Sequence, residues 1–460
     1  MSTADSTALP PALPSRAEQR RIAFACIIGN FLEYFEFALY GFFAVAIGAT
    51  FFPSDDPTTE LLQSLAVFGV AFLLRPVGGV VFGLIGDRIG RRASLSLSIT
   101  MMGAATTVIG LLPGYDTIGI AAPILLVLVR CVQGLSVGGE WGASSAFLIE
   151  TAGPGLRGQR GSYPSMAAAF GFIGGSALAL GFGLAFTADQ MADWAWRIPF
   201  LIAAPLSLLG LYIRRRLEDT PVFKEIEQAS DRPRAKLRDA VNPKLWRPLL
   251  ITFAFSWICG VGLFYLTSYV VNFLSATVKM ERTQSALLVA IGLAVYAALC
   301  PIAGRLSDRF GRRRTILFGC IGHVVLAVPV FMLLSTGNAA LVLLALVIYG
   351  VVQAPINANT SLVMIELFPA STRLTSGSLG FNLGVGPPSG FGPFLAAALV
   401  AGTGLSYSPG FFLAGVALFS LVVLFLMMPE TAGRDLLLEH DAVQDTAAAT
   451  DDAPPARTAP

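Results

Sequence analysis

The chain alternates between long apolar runs and short polar stretches, and the apolar runs are long enough to span a membrane. Crossing about 30 Å of hydrocarbon as a helix takes roughly 20 apolar residues. Six runs of that length precede a long polar stretch, and six follow it. We predict an all-α integral membrane protein with twelve transmembrane helices in two six-helix, pseudo-symmetric halves. The predicted spans begin near Arg21, Gln63, Leu95, Pro123, Gly161, Trp196, Trp246, Gln284, Thr315, Ala339, Thr375 and Pro409.

The polar stretches divide the chain into five parts. Residues 1–20 are rich in Ser, Ala and Pro and have no apolar core, so they predict a disordered soluble arm and not a signal peptide. Residues 21–213 and 246–429 form the two six-helix bundles, and residues 214–245 form the linker between them. Residues 430–460 are rich in Ala, Asp, Thr and Pro, which predicts a largely disordered tail.

The composition excludes several classes of protein. The chain is 55% hydrophobic and 13% charged, whereas soluble domains carry about 25% charged residues. A net charge of +2 without a basic, aromatic-rich surface segment argues against a nucleic-acid partner. The five cysteines lie in apolar runs without a close pair, and there are only two histidines. We therefore expect no cofactor and no metal site.

The positive charges predict the orientation, because cytoplasmic loops carry an excess of Lys and Arg. With a cytoplasmic N-terminus, all but five of the 31 Lys and Arg residues lie on the cytoplasmic side. The five others are Arg75 and Arg130 inside predicted helices, and Arg197, Lys279 and Arg282 on the outer side. We predict that both termini are cytoplasmic and that the chain crosses the plasma membrane many times.

One charged loop occurs twice. Between spans 2 and 3 the chain reads GLIGDRIGRR (83–92), and between spans 8 and 9 it reads GRLSDRFGRR (304–313). Equal spacing in equivalent loops indicates an internal duplication, and such paired halves frame a central cavity. The aspartates would lie near helix ends, where a carboxylate can pair with Arg or face the N-terminus of another helix. We predict that these loops gate one side of the cavity, through Gly83, Asp87, Arg88, Gly90, Arg91, Arg92, Gly304, Asp308, Arg309, Gly311, Arg312 and Arg313.

The repeated loop resembles the signature of the major facilitator superfamily of secondary transporters. Within it the chain resembles the metabolite:proton symporters, which include carriers of α-ketoglutarate, citrate, shikimate and proline or betaine. The similar stretches are GNFLEYFEFALYGFF (29–43), RPVGGVVFGLIGDRIGRR (75–92), RCVQGLSVGGEWGASS (130–145), WRIPF (196–200), RRRLEDTPVF (214–223) and ELFPASTR (366–373). The resemblance implies the major facilitator fold and proton-coupled uptake by alternating access. We expect a monomer that handles a small-molecule substrate and protons within the lipid bilayer.

Ionisable residues inside the predicted spans are candidates for function, since each costs roughly 3 kcal/mol or more. We predict that Glu33, Glu36 and Glu140 couple protons to transport. Arg75 and Arg130 would bind an anionic group, because a guanidinium holds a carboxylate with two parallel hydrogen bonds. Further substrate-binding candidates are Gln133, Tyr265, Tyr269, Asn357 and Asn382. Competition between a glutamate and the substrate for one arginine would couple the two movements.

Alternatives remain open at this point. Arg–Glu pairs that only hold the bundle together are the structural explanation, and it weighs most for Arg130 and Glu140. Tyr265 and Tyr269 are equally suited to packing. We predict a symporter that imports a small carboxylate-bearing metabolite, either an organic acid or a zwitterionic osmolyte, and not an enzyme. The alternatives are a proline or glycine betaine osmolyte permease and, less favoured, a membrane sensor that does not transport.

Overall fold

The computed structural model of the protein describes residues 14–153, 155–228, 237–240 and 242–436. These residues fold into twelve long helices joined by short loops and helical turns. The helices are α1 (Arg16–Phe51), α2 (Pro57–Arg88), α3 (Arg91–Leu111), α4 (Ala121–Glu150), α5 (Tyr163–Ala185), α6 (Arg197–Arg215), α7 (Trp246–Phe264), α8 (Arg282–Phe310), α9 (Arg312–Ser335), α10 (Ala339–Asn357), α11 (Arg373–Thr403) and α12 (Ser408–Met427).

Length and composition confirm the predicted spans. Eleven helical segments of the described residues are long and apolar enough to cross a membrane. The twelfth is a pair, Arg373–Gly392 and Leu395–Thr403, bent by 42° within α11. The prediction of twelve transmembrane helices is therefore confirmed, with every helix start within six residues of its predicted position.

The first helix begins five residues before the predicted start of the first span at Arg21. The α1 helix begins at Arg16, and the Ser15 hydroxyl caps it by accepting a hydrogen bond from the Glu18 amide at 3.3 Å. A serine cap satisfies one of the free amide groups at a helix start, so the polar residues before Arg21 continue the helix. The rest of the predicted arm, residues 1–13, lies outside the described residues.

The predicted linker and tail also contain ordered structure. Arg214 belongs to the last turn of α6 and is fully buried, although the sequence placed it in the linker. A short helix, Pro221–Gln228, follows α6. After α12 the chain from Glu430 to Leu436 packs against the helix bundle, and Leu436 is buried. The remainder of the predicted tail, residues 437–460, lies outside the described residues.

Small residues let helices approach closely. In the first half α2 packs along α4, where Gly134 lies against the Ala71 backbone and Gly138 against the Arg75 backbone. Without a Cβ the two backbones can meet, which is how small residues associate helices in membranes. The halves meet along several helix pairs, chiefly α2 with α11 and α5 with α8.

Two membrane helices are irregular within their spans. The α7 helix continues through π-helical turns at Tyr265–Tyr269 and Phe273–Thr277, with a short α-helix between them. The α10 helix ends at Asn357, and a second short helix, Thr360–Glu366, continues the same span. Irregular backbone at membrane depth is tolerated only where it is buried in protein or lines a cavity. Both breaks therefore mark places of interest for function.

Candidate functional site

A buried acid and a buried arginine meet where the two halves touch. Glu33 on α1 and Arg75 on α2 are each 1% exposed, and Glu33 Oε1 lies 3.6 Å from Arg75 Nη1. Arg75 Nε donates a hydrogen bond to Asn382 Oδ1 on α11, at 3.2 Å. Asn382 Nδ2 in turn donates to the carbonyl oxygens of Gly138 and Ser378. Asn382 thus reaches from the second half and fixes the orientation of the Arg75 guanidinium.

The reactive ends of this pair have no hydrogen-bond partner among the described residues. Neither carboxylate oxygen of Glu33 and neither terminal nitrogen of Arg75 makes a hydrogen bond. The indole nitrogen of Trp141 is also buried without a partner. Buried polar groups are normally hydrogen-bonded, and an exception calls for an explanation such as a ligand. The arrangement is that of a guanidinium held at its base, with its fork free to bind a carboxylate.

Aromatic rings from both halves surround the pair. Phe264 of the second half lies against Phe72, with ring centroids 5.4 Å apart, and against Tyr34 at 6.4 Å. The Arg75 Cζ atom lies 6.0 Å from the centre of the Phe72 ring. Trp141 faces the same group, 6.3 Å from the Tyr34 ring. Such rings exclude water and present faces that attract cations.

A second polar cluster follows one turn after Glu33 on α1, on the side away from the terminus of the chain. Gln133 Nε2 donates to Thr106 Oγ1 at 2.7 Å and, at 3.4 Å, to Glu36 Oε2. Arg130 Nη1 donates to Gln133 Oε1 at 2.7 Å, and the Arg130 guanidinium lies 4.4 Å above the Tyr40 ring. The cluster brings together Glu36, Arg130 and Gln133, three of the predicted site residues. Arg130 is already bonded, however, whereas the Arg75 fork is free.

Glu140 lies in a third cluster within the first half. Its Oε2 accepts hydrogen bonds from Ser98 at 2.6 Å and from Arg214 Nη1 at 2.9 Å, and its Oε1 accepts from Arg214 Nη2. Arg214 also donates to the carbonyl oxygens of Ala25 and Leu95. The pair therefore joins α1, α3, α4 and α6. Sequence reasoning missed Arg214 because its position next to two more arginines suggested a loop.

The central part of the second half is neutral. Within the described residues 246–436, every Lys, Arg, Asp and Glu lies within five residues of a helix end or between helices. Tyr265 and Tyr269 stack with ring centroids 5.0 Å apart beside Phe331, and the Tyr265 hydroxyl has no partner among the described residues. The carbonyl oxygen of Asn357 accepts a hydrogen bond from Ser165 of the first half, at 2.7 Å. The second half thus offers hydroxyl and amide groups but no deep charge.

The repeated loops join the two halves at one face, which we call the terminal face because both ends of the described chain lie there. Asp87 accepts hydrogen bonds from the amides of Leu374 and Thr375 at 3.3 and 3.0 Å, and from the Thr375 hydroxyl at 2.7 Å. These amides form the first turn of α11, whose dipole favours an anion there. Arg91 donates to the same carboxylate at 2.8 Å.

Asp308 repeats this arrangement in the other direction. It accepts from the amides of Gly158 and Gln159, at 2.7 and 3.0 Å, and pairs with Arg312 at 2.9 Å. Each half therefore places an aspartate on a helix start of the other half. The sequence predicted this chemistry from the repeat alone, but it could not identify the partner residues.

The glycines of the two loops have conformational reasons. Gly90 has φ of 131° and Gly311 has φ of 97°, backbone conformations that favour glycine. Gly83 lies against the Thr375 backbone and Gly304 against the Gly158 backbone, so each lets the halves approach closely. The remaining loop arginines act within their own half or are exposed. Arg92 and Arg313 donate to the carbonyls of Arg215 and Phe425, both at 2.6 Å, whereas Arg88 and Arg309 are exposed.

An acid after the last helix of each half caps the helix that follows its repeated loop. Asp219 accepts from the amides of Arg91 and Arg92, and Glu430 accepts from those of Arg312 and Arg313. Burial raises the pKa of Asp219, and the amide donors at the start of α3 oppose that rise. Sequence reasoning did not assign these acids, although an acid followed by Thr after the sixth and the twelfth span was the available signal.

Two arginines on opposite sides of the boundary between the halves hold the segment that follows α12. Arg373 Nη1 pairs with Glu150 of the first half at 3.2 Å, and its Nη2 donates to the Leu436 carbonyl at 2.6 Å. Arg157 of the first half donates to the Arg434 carbonyl at 2.6 Å. The segment Glu430–Leu436 thus lies across the boundary at the terminal face.

Comparisons with known proteins agree with this architecture. Residues 26–387 match the sequence model of the Major Facilitator Superfamily. The chain is 35% identical over 435 residues to the proline/betaine transporter of Escherichia coli K12, covering 93% of this chain and 86% of that protein. It is 34% identical over 435 residues, with the same coverage, to the glycine betaine/proline/ectoine/pipecolic acid transporter OusA of Dickeya dadantii. It is 36% identical over 419 residues to the inner membrane metabolite transport protein YhjE of E. coli K12, covering 89% of this chain and 94% of that protein. Among solved structures, the proton:xylose symporter XylE matches with a TM-score of 0.75 at 17% identity, over 93% of this chain and 99% of that chain.

Proposed function

The chain belongs to the Major Facilitator Superfamily of membrane transporters, and we propose that it is a proton-coupled symporter that imports a small zwitterionic osmolyte. Proline, betaines and ectoine, the substrates after which two of its relatives are named, all combine one carboxylate with one cationic nitrogen. The observation that carries the proposal is the Arg75 fork, buried, oriented by Asn382 and free of hydrogen bonds beside Glu33. An organic acid is the second candidate, because the same fork would bind its carboxylate.

The surroundings of Arg75 favour a zwitterion over a dicarboxylate. A second carboxylate would need a second cation, and Arg130 is already bonded to Gln133 and stacked on Tyr40. The second half supplies no deep cation among its described residues. A cationic nitrogen, by contrast, is favoured by aromatic faces such as those of Tyr34 and Phe264.

Glu33 is the proposed proton carrier. Since its carboxylate makes no well-formed hydrogen bond and the Arg75 guanidinium is 3.6 Å away, protonation removes a poorly satisfied buried charge. When a substrate carboxylate takes the Arg75 fork, Glu33 loses its counter-ion and gains a proton more readily. Substrate and proton would then enter together. Glu36 is a second proton site in this proposal, whereas we now propose that Glu140 holds α1, α3, α4 and α6 together through Arg214.

The terminal face is the proposed cytoplasmic face, because most Lys and Arg residues lie on that side. Asp87 and Asp308 would keep it closed while the site opens outward, and would release α11 and the helix Arg157–Gly161 when the halves rock. All residues of the proposed site come from one chain, so we propose that the transporter works as a monomer.

Uptake into proteoliposomes tests the function. Labelled proline, glycine betaine and α-ketoglutarate would be offered with an inward proton gradient, with a sodium gradient alone, and with neither. We expect proton-driven accumulation of a zwitterion, lost in Glu33→Gln and Arg75→Lys protein that still folds. Glu33→Gln should retain exchange of labelled for unlabelled substrate, since that step needs no net proton movement. Glu281→Gln is the matched control, because Glu281 is an exposed carboxylate that caps α8.

The possible results separate the parts of the proposal. Unchanged accumulation in Glu33→Gln and Arg75→Lys would refute the assignment of Glu33 and Arg75 to the transport site. If a sodium gradient alone drives as much accumulation as a proton gradient, the proposal that the proton is the coupling ion is refuted. Accumulation of α-ketoglutarate but not of the zwitterions would favour the organic acid.

A further inference from the structure

A buried chain of hydrogen bonds crosses the second half from α9 to the break in α10. His323 Nε2 lies 2.7 Å from Gln353 Oε1, and Gln353 Nε2 donates to Asn357 Oδ1 at 2.6 Å. Gln353 Nε2 also donates to the backbone carbonyl of Cys259, at 3.4 Å. His323, Gln353 and Asn357 are all at most 1% exposed.

The backbone carbonyl sets the direction of every bond in this chain. The Cys259 carbonyl can only accept, so the Gln353 amide nitrogen must face it and the Asn357 oxygen. Gln353 Oε1 then faces His323, which must donate from Nε2. The Asn357 amide oxygen is consequently occupied, and its NH₂ group must point away from Gln353.

That NH₂ group makes no well-formed hydrogen bond. Asn357 Nδ2 is buried and makes no hydrogen bond among the described residues. The Tyr296 hydroxyl lies beside it and near Cys300, and it likewise makes no well-formed hydrogen bond among the described residues. A polar network that served packing alone would satisfy its own donors, because a buried unsatisfied donor costs about 1–3 kcal/mol. The Asn357 NH₂ group, buried without a well-formed hydrogen bond, indicates an acceptor that comes and goes.

The position of Asn357 suits a contact with the substrate. Its own carbonyl bonds Ser165 of the first half, so the residue lies where the two halves meet. It ends α10 at the break in that span, and half-helix ends near the middle of the bilayer are typical binding positions in transporters. Cys259, whose backbone carbonyl accepts from Gln353, lies on α7, and the same helix places Phe264 against Phe72 beside Arg75.

We propose that His323 and Gln353 are positioning residues that hold the Asn357 amide as the second half's donor to the substrate carboxylate. This inference rests on the proposed function, in which Arg75 binds the same carboxylate from the first half. With one donor on each half, an occupied site would add a link between the halves that an empty site lacks. The substrate carboxylate would thus accept hydrogen bonds from both halves and favour their closing around it.

Equilibrium binding of labelled proline and glycine betaine to the purified full-length protein in detergent tests the inference, because it needs no proton gradient. His323→Phe keeps an aromatic ring against Tyr349 but removes the donor. The Asn357 amide would then no longer be held in place, and its charge-assisted hydrogen bond to the substrate carboxylate would be lost. We expect substrate binding to weaken about tenfold. His323→Gln restores a donor and should recover affinity to within about threefold of the parent. Asn357→Asp replaces the donor by a carboxylate and should abolish binding.

Cys320→Ala is the matched control, since Cys320 is buried on α9 one turn before His323 and takes no part in the chain. It should leave affinity unchanged, and thermal melting should show that all variants fold. In uptake, His323→Phe should raise KM by the same factor and leave the maximal rate unchanged. A positioning role predicts this split, whereas a merely structural role predicts loss of folded protein.

The outcomes distinguish this inference from the function on which it rests. If the parent protein binds and transports a zwitterion but His323→Phe and Asn357→Asp bind it equally well, the positioning chain is refuted and the function stands. If His323→Gln is as weak as His323→Phe, donation from position 323 is refuted. If the parent protein binds neither probe, the proposed function and this inference both fail.

Discussion

Removing the charge of Glu140 should destabilise the first half without uncoupling transport. Glu140 and Arg214 are both fully buried. The Glu140 carboxylate accepts two hydrogen bonds from the Arg214 guanidinium and one from the Ser98 hydroxyl. The Glu140→Gln variant leaves the Arg214 guanidinium without its counter-ion in a low-dielectric interior. Breaking a buried pair from one side typically costs about 3–5 kcal/mol.

The magnitude should differ between the two partners. Arg214→Met removes the cation and also leaves the carbonyls of Ala25 and Leu95 without their donor, so its cost should exceed that of Glu140→Gln. For a unit of about 200 residues, 1 kcal/mol shifts the melting temperature by roughly 2–4 °C, which makes the expected drop about 10 °C. The double variant Glu140→Met/Arg214→Met should recover part of the loss, because no unpaired charge is then buried.

Thermal melting in detergent at one scan rate, together with proton-driven uptake per folded protein, measures both effects. Uptake per folded protein should remain near the parent value at 25 °C in Glu140→Gln. The reasoning is refuted if Glu140→Gln melts at the parent temperature yet loses proton-driven accumulation. That result would instead support Glu140 as a proton-coupling residue.

Two further predictions concern the terminal face. Asp87→Asn keeps an acceptor for the first amides of α11 but loses the attraction to Arg91, so amide hydrogen exchange in that turn should increase; unchanged exchange would deny Asp87 a closing role. Truncation after Ala432 removes the Arg434 and Leu436 carbonyls that accept from Arg157 and Arg373, so a cysteine-directed probe should reach the boundary between the halves faster; equal labelling rates would show that the segment does not hold the face closed.

The helices and the chemistry of the repeated loops could be predicted from local information. Apolar length defines each span, and the duplicated loop placed Asp87 and Asp308 beside helix starts before any partner was known. The partners themselves, such as Thr375, are far away in the chain and become neighbours only through the packing of α2 on α11. Local patterns carry no information about that pairing.

Arg214 shows that a local pattern can also predict the wrong environment for a residue. It stands in a run of three arginines, where the positive charges predict a loop, and yet it is buried against Glu140. The deciding fact is the geometry of four helices that meet around Glu140, which places the end of α6 beside its carboxylate. The i, i+3 spacing of Arg130 and Gln133, by contrast, is a local signal, and the two side chains are bonded as one would expect on a helix face.

The distribution of charge between the halves bears directly on how they can move. Inside the bundle the contacts across the boundary include Arg75–Asn382, Asn382–Gly138 and Ser165–Asn357, none of which pairs two opposite charges. Separating such hydrogen bonds costs about 1–3 kcal/mol each, whereas breaking a buried ion pair costs about 3–5 kcal/mol. The deep pairs Glu33–Arg75 and Glu140–Arg214 each lie within the first half, so rocking carries them along intact. An ion pair that does cross the boundary, Arg373–Glu150, lies at the terminal face, where water can enter and solvate both charges as the face opens. The proposed proton site and substrate fork therefore stay together on the first half when the halves rock as proposed, while the second half, whose central part carries no charge among the described residues, approaches and withdraws.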